Sequence, residues 1–184
     1  MRRRVVIPAV ALVAVIAVAV GLYLFQPWRI FTSSTVIEDV PAVATTAVES
    51  QGPSAAPSPA APVAPVALPR ELAAGRLISH EHTSSGTVKI LELSDGSRIL
   101  RFEGLDTSDG PDLRVWLSNA PVVEGFAGWY VFDDGAYLDL GALKANKGDQ
   151  NYDIPAGTVL SDYGSVSIWC ARFAVSFAAA ELNP

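Results

Sequence analysis

The chain opens on Arg2, Arg3 and Arg4 and then runs through 21 consecutive uncharged, almost wholly apolar positions, Val5 to Phe25. At 1.5 Å per residue such a helix rises about 31 Å, matching a hydrocarbon core of about 30 Å. Three arginines precede it and only Arg29 follows closely, which places the N-terminus in the cytoplasm and everything after Phe31 outside. Tyr23 and Trp28 sit near its outer end, where aromatic rings favour the interface. A cleaved secretory signal carries a shorter apolar region, roughly 7 to 15 residues, ending in a small-x-small site. The exit through Gly21-Leu22-Tyr23-Leu24-Phe25-Gln26-Pro27 offers no such site, and no cysteine follows for a lipid anchor. The pattern therefore predicts an uncleaved, single-pass signal-anchor in the plasma membrane.

Residues 41–69 hold 7 of the 13 prolines in a Pro/Ala/Ser run without an aromatic residue. Such a run cannot bury enough apolar surface to offset its ordering entropy, so it is predicted to be a disordered tether of polyproline II character. Leu68–Ala74 reads as a short helical lead-in. From Gly86 the period becomes two, with Val88 and Ile90 bracketed by Thr87 and Lys89, and Ser94-Asp95-Gly96-Ser97 turns the chain into Arg98–Phe102. Similar short segments follow at Leu113–Leu117, Tyr137–Leu140, Asn151–Ile154, Ser165–Cys170 and Arg172–Phe177, separated by Gly-, Asp- and Pro-containing turns. That spacing predicts an all-β ectodomain, an antiparallel β-sandwich or barrel. The apolar parity is even through Val166, Ile168 and Cys170 and odd through Phe173, Val175 and Phe177, which predicts a bulge or corner at Cys170-Ala171-Arg172. The resulting organisation is a cytoplasmic stub (1–4), a transmembrane helix (5–25), a disordered linker (26–70) and the β domain (71–184).

Charge sharpens this division. Residues 1–70 carry 5 Lys+Arg and 3 Asp+Glu, whereas residues 71–184 carry 8 and 16. An acidic domain with no basic stripe cannot neutralise phosphates, so nucleic acid is excluded as a partner and anionic lipid is disfavoured. Cys170 is the only cysteine, so neither an intrachain disulfide, a C-x-x-C-H haem attachment nor a four-sulfur zinc site can form. Phosphate-loop, nucleophile-elbow and H-E-x-x-H patterns are also missing, and the two histidines assemble no nucleophile, base and orienter by spacing.

The remaining candidate chemistry is sparse. Cys170 can serve as a buried hydrophobe, a redox or ligating thiolate, or half of an intermolecular disulfide, and Arg172 is the nearby cation in sequence that would activate it. Ser79-His80-Glu81-His82 sets His80 and His82 at i and i+2, on one side of an extended segment. Two His and one Cys match the ligand count of a blue-copper site, but no histidine follows Cys170 to complete the usual ligand loop, so copper is disfavoured. A noncovalent haem needs only one or two axial ligands, which Cys170, His82 or His80 would supply. The aspartates of Asp106–Asp112 lack EF-hand spacing and read as turn chemistry, as does Asp133-Asp134-Gly135.

Four ordered blocks carry a family resemblance: His82–Val88; Gly110-Pro111-Asp112-Leu113-Arg114-Val115-Trp116-Leu117-Ser118; Leu140–Lys144 with Gly148–Pro155; and Ser165–Phe177 around Trp169-Cys170. Over residues 76–182 the chain resembles the electron-transfer DM-thirteen domain. The resemblance implies an all-β fold and extracytoplasmic redox chemistry through one cysteine, here Cys170, as a bare thiol or as holder of a group such as haem. It leads to the expectation of a membrane-tethered electron-transfer or thiol-redox module, with His82 and His80 as secondary ligands. Its partner would be a redox protein in the same membrane or envelope. The competing expectation is a cell-surface binding or adhesion module in which Cys170 is structural. Asn119–Ala136 receives no role from the sequence.

Overall fold

The computed structural model describes residues 2–41 and 69–184. Most of the predicted tether lies outside the described residues. Helix α1 (Arg2–Phe25) covers the apolar run, and among the described residues it is the one helix long and apolar enough to cross a membrane. A short 3-10 turn, Pro27–Phe31, follows it.

Among the described residues ten strands form the domain: β1 (Thr35–Ile37), β2 (Arg70–Arg76), β3 (Ile78–Ser79), β4 (Ser85–Glu92), β5 (Arg98–Asp106), β6 (Leu113–Ser118), β7 (Tyr137–Ala142), β8 (Lys147–Ile154), β9 (Ser165–Cys170) and β10 (Val175–Glu181). They make two five-stranded sheets, ordered β1-β8-β5-β4-β2 and β3-β10-β9-β6-β7. The fold is an all-β sandwich. Its core is set by the period-two pattern: Val88, Ile90, Leu100 and Phe102 face inward from the first sheet, and Val115, Leu117, Val166, Ile168 and Cys170 from the second. Each such aliphatic or aromatic side chain contributes about 1.5–3 kcal/mol by leaving water. The predicted hairpin is β4–β5, paired from Glu92↔Arg98 to Ser85↔Asp106.

Three expectations need correction. Of the predicted helical lead-in Leu68–Ala74, Leu68 lies outside the described residues and the rest is not helical: Arg70–Arg76 is strand β2, an edge strand paired to β4. Alanine prefers helix, but pairing with a waiting edge overrides that preference.

The linker does not begin at residue 26. Thr35–Ile37 pairs in parallel with β8, at Thr35↔Lys147 through Ile37↔Asp149, so the segment straight after α1 belongs to the sandwich. Glu38 then binds Lys144 at 2.7 Å and the Asn151 amide at 2.7 Å, and buried Arg101 donates to the Glu38 carbonyl at 2.8 Å. The Lys144 and Asn151 hydrogen bonds hold the Glu38 carboxyl below its usual range. The Pro-rich run therefore joins two strands of one sheet instead of separating α1 from the domain.

At the Cys170 corner the chain does turn, but as a β9–β10 hairpin over Ala171–Ala174, with Ala174 at φ 49°. Phe173 is exposed at its tip, outside the buried set. The register shift falls later, between Ser176 and Ala178.

Candidate functional site

Cys170 ends β9 on the inner face, opposite Leu113 of β6 and Val175 of β10. Its thiol is completely buried and donates to the Pro111 carbonyl at 3.4 Å. Burial pushes its pKa up, the Phe173 and Arg172 amides oppose that, and the charges of Glu81 and Asp112 reinforce it. The resting sulfur is a protonated thiol, the less nucleophilic form. Arg172 does not activate it: the guanidinium points away and donates to the Leu24 carbonyl at 3.3 Å.

Pro111 has a second side. It lines a groove of about 230 Å³ with His82, Glu81, Phe177, Phe173 and Phe25. Gly110 and Pro111 thus line the groove, and the Pro111 carbonyl accepts the thiol's hydrogen bond. The Gly110 backbone lies close on Phe177, since a Cβ on Gly110 would come within 2.8 Å of the Phe177 ring. The stretch after α1 fixes the loop from outside. Arg29 donates to the Asp109 carboxylate and the Gly110 carbonyl, both at 3.2 Å, and Thr32 donates to Asp109 at 2.6 Å. The acidic cluster is engaged residue by residue: Asp109 as described, Asp106 with Lys147 at 2.7 Å, and Asp112 with Arg114 at 2.8 Å. Turn chemistry and pairing account for it.

The two histidines separate because β3 stops at Ser79 and the chain bends. His82 enters the groove, its ring 3.9 Å from that of Phe177 and its Nε2 3.7 Å from the Glu81 carboxylate. His80 turns the other way and is buried. Its Nε2 donates to the Val123 carbonyl at 3.1 Å, which leaves Nδ1 to accept from the Ser176 hydroxyl at 2.8 Å. Burial lowers its pKa, partly opposed by the Val123 carbonyl, so the ring stays neutral. The loop Asn119–Ala136 that holds Val123 covers the outer face of the second sheet, burying Phe132 against Trp169.

Cys170 and His82 therefore share Pro111 as a neighbour, one through a hydrogen bond and the other across the groove lining, and His80 belongs to a separate structural network. A haem does not fit this arrangement. The sulfur is sealed, both nitrogens of His80 are engaged, and the groove falls short of the roughly 300–1,000 Å³ of a small-molecule pocket. Among the described residues no group of three or more His, Cys, Asp or Glu side chains is placed to hold a metal ion. Sequence reasoning missed Pro111, Arg29 and Thr32, because their part in covering the thiol depends on contacts more than 50 positions away.

Comparison with known proteins places this geometry in a family context. A family model described as "Electron transfer DM13" matches residues 76–182, the stretch from the end of β2 to the end of β10. No curated protein and no solved structure matches the chain.

Proposed function

The chain belongs to the electron-transfer DM13 family, and from that premise we propose that it is a membrane-tethered, extracytoplasmic electron-transfer module with Cys170 as its redox group. The observation that carries this reading is that Pro111 both walls the groove and accepts the Cys170 hydrogen bond. A shift of one loop, without dissolution of the core, brings the sulfur to the groove. The apolar helix α1 supports an anchor in the plasma membrane with the N-terminus cytoplasmic, and the redox partner is a protein fixed in the same membrane or envelope.

In the closed state the thiol is protonated and shielded, so the module rests without reacting with small oxidants. Opening the Asp109–Pro111 loop hydrates the sulfur and removes the burial that raises its pKa. His82 and Glu81 line the space into which the sulfur would then open, and His82 is placed to take its proton.

Exposure of the full chain in lipid nanodiscs to oxidised glutathione tests this chemistry. The Cys170 thiolate attacks the disulfide, a mixed disulfide forms, and one reduced glutathione leaves. The expected result is glutathionylation of Cys170 under native conditions, slowed in His82→Ala. Modification seen only in denaturant favours the second reading, a cell-surface binding or adhesion module in which Cys170 is structural. The complete burial of the sulfur is the observation on that side.

A further inference from the structure

Three aromatic rings sit side by side on the outer face of the second sheet. Trp116 of β6 stacks on Tyr137 of β7 with centroids 3.9 Å apart and planes within 10°. On its other side Trp116 stacks on Trp169 of β9 at 5.0 Å and 22°. The register explains the alignment: Ser118 pairs with Tyr137 and Arg114 with Trp169, so Trp116 is the diagonal neighbour of both. Diagonal positions on one face of an antiparallel sheet are within reach of aromatic side chains. Tyr137 is 45% exposed, Trp116 is 6% exposed and Trp169 is 2% exposed. The stack leads from solvent to the residue next to Cys170.

Packing alone does not explain the choice of side chains. The Trp116 Nε1–H is buried with no hydrogen-bond partner among the described residues, which costs about 1–3 kcal/mol that a phenylalanine would not incur. Tyr137, half in water, gains comparatively little from burial. Tyrosine and tryptophan are, however, the aromatic side chains most readily oxidised by one electron, and near-parallel rings in contact give the orbital overlap that rapid transfer needs. An indole with no acceptor at its N–H cannot give up that proton when oxidised, so a hole on Trp116 is not trapped there. The Tyr137 hydroxyl, at the surface, can give its proton to water.

We infer that Tyr137, Trp116 and Trp169 form a one-electron relay linking the surface to the Trp169–Cys170 segment, a route that rests on the electron-transfer reading and specifies where a partner exchanges electrons. When a high-potential one-electron oxidant takes an electron from Trp169 or Trp116, an electron from Tyr137 refills the indole. The Tyr137 proton leaves to solvent. The oxidant is reduced by one electron, Tyr137 becomes a neutral phenoxyl radical, and no bond forms between protein atoms.

The test attaches a ruthenium photo-oxidant to Arg114→Cys, directly opposite Trp169, in the full chain in nanodiscs with Cys170→Ala. After flash generation of Ru(III), transient absorption should show an indole radical giving way to a tyrosyl radical, with the tyrosyl signal captured by freeze-quench electron paramagnetic resonance. The tyrosyl signal should be lost in Tyr137→Phe, which keeps the ring and removes only a half-exposed hydroxyl, and in Trp116→Phe. A tyrosyl signal that persists in Tyr137→Phe, or an indole radical that decays with none formed, overturns the relay. Because Cys170 is absent from this background, that failure leaves the glutathione result at Cys170 untouched, and the converse also holds.

Discussion

Cys170 and Tyr152 both keep a proton in the fold that the unfolded chain gives up. Burial raises the Cys170 thiol above its ordinary value of 9.0 and the Tyr152 phenol from 10.0 to about 12. Tyr152 donates to Gln150 Oε1 at 2.7 Å and accepts from the Lys144 amide at 2.9 Å, an arrangement that needs the neutral phenol. The native state binds more protons than the unfolded state between the unfolded and folded pKa values, so stability falls as pH rises through that window. Stability should hold below pH 9 and decline above it. Tyr152 alone should remove on the order of 3 kcal/mol by about pH 12. Denaturant titrations of the full chain in nanodiscs, read by tryptophan fluorescence, check this, and Cys170→Ala should flatten the onset near pH 9. At this scale the sequence was only partly legible. Cys170 and His82 stood out as rare side chains, whereas the Pro111 carbonyl and the stacked Tyr137 and Trp116 carry no mark that distinguishes them from turn and core residues until the register is known.

Among the elements, β1 is the least anticipated and the most consequential. Three residues, Thr35-Val36-Ile37, lie between the apolar helix α1 and a Pro-rich run, too short a stretch for a period to register. The long strands were legible because alternation continues over several residues, as in β4 and β5. Strand β2 was misread because alanine-rich edges resemble helix until a partner strand is present. The β1 seat depends on Gly148, at φ 100°, where a Cβ would run into the Val36 carbonyl. Gly148→Ala is therefore expected to displace β1 and to cost at least the roughly 1–2 kcal/mol of a left-handed L-residue. Hydrogen exchange should show faster exchange at the Glu38 amide, which donates to the Asp149 carbonyl at 2.9 Å, while the β9 amides stay protected. Unchanged exchange at Glu38 would show that β1 does not depend on this close approach.

In the whole molecule the domain meets the end of α1 directly. Phe173 stacks on Phe25 at 5.8 Å, Arg172 reaches Leu24, and Arg29 and Thr32 hold the Asp109–Gly110 loop over the thiol. Phe25, the last residue of α1, lines the groove together with Arg29 and Pro111. The acidic β domain and the apolar helix were both legible from charge and hydropathy; their docking was not, since it rests on single contacts from a stretch that composition groups with the linker. The central claim is that Cys170 becomes reachable by movement of this cover, without unfolding. It is tested most directly by the native-state labelling rate of Cys170 with a small thiol reagent, set beside the global unfolding rate of the same nanodisc-held chain. The account predicts labelling faster than unfolding and accelerated in Asp109→Ala, which removes the Thr32 bond and one of the two Arg29 bonds to the loop, leaving the one to the Gly110 carbonyl. Labelling that keeps pace with unfolding in both proteins would contradict it.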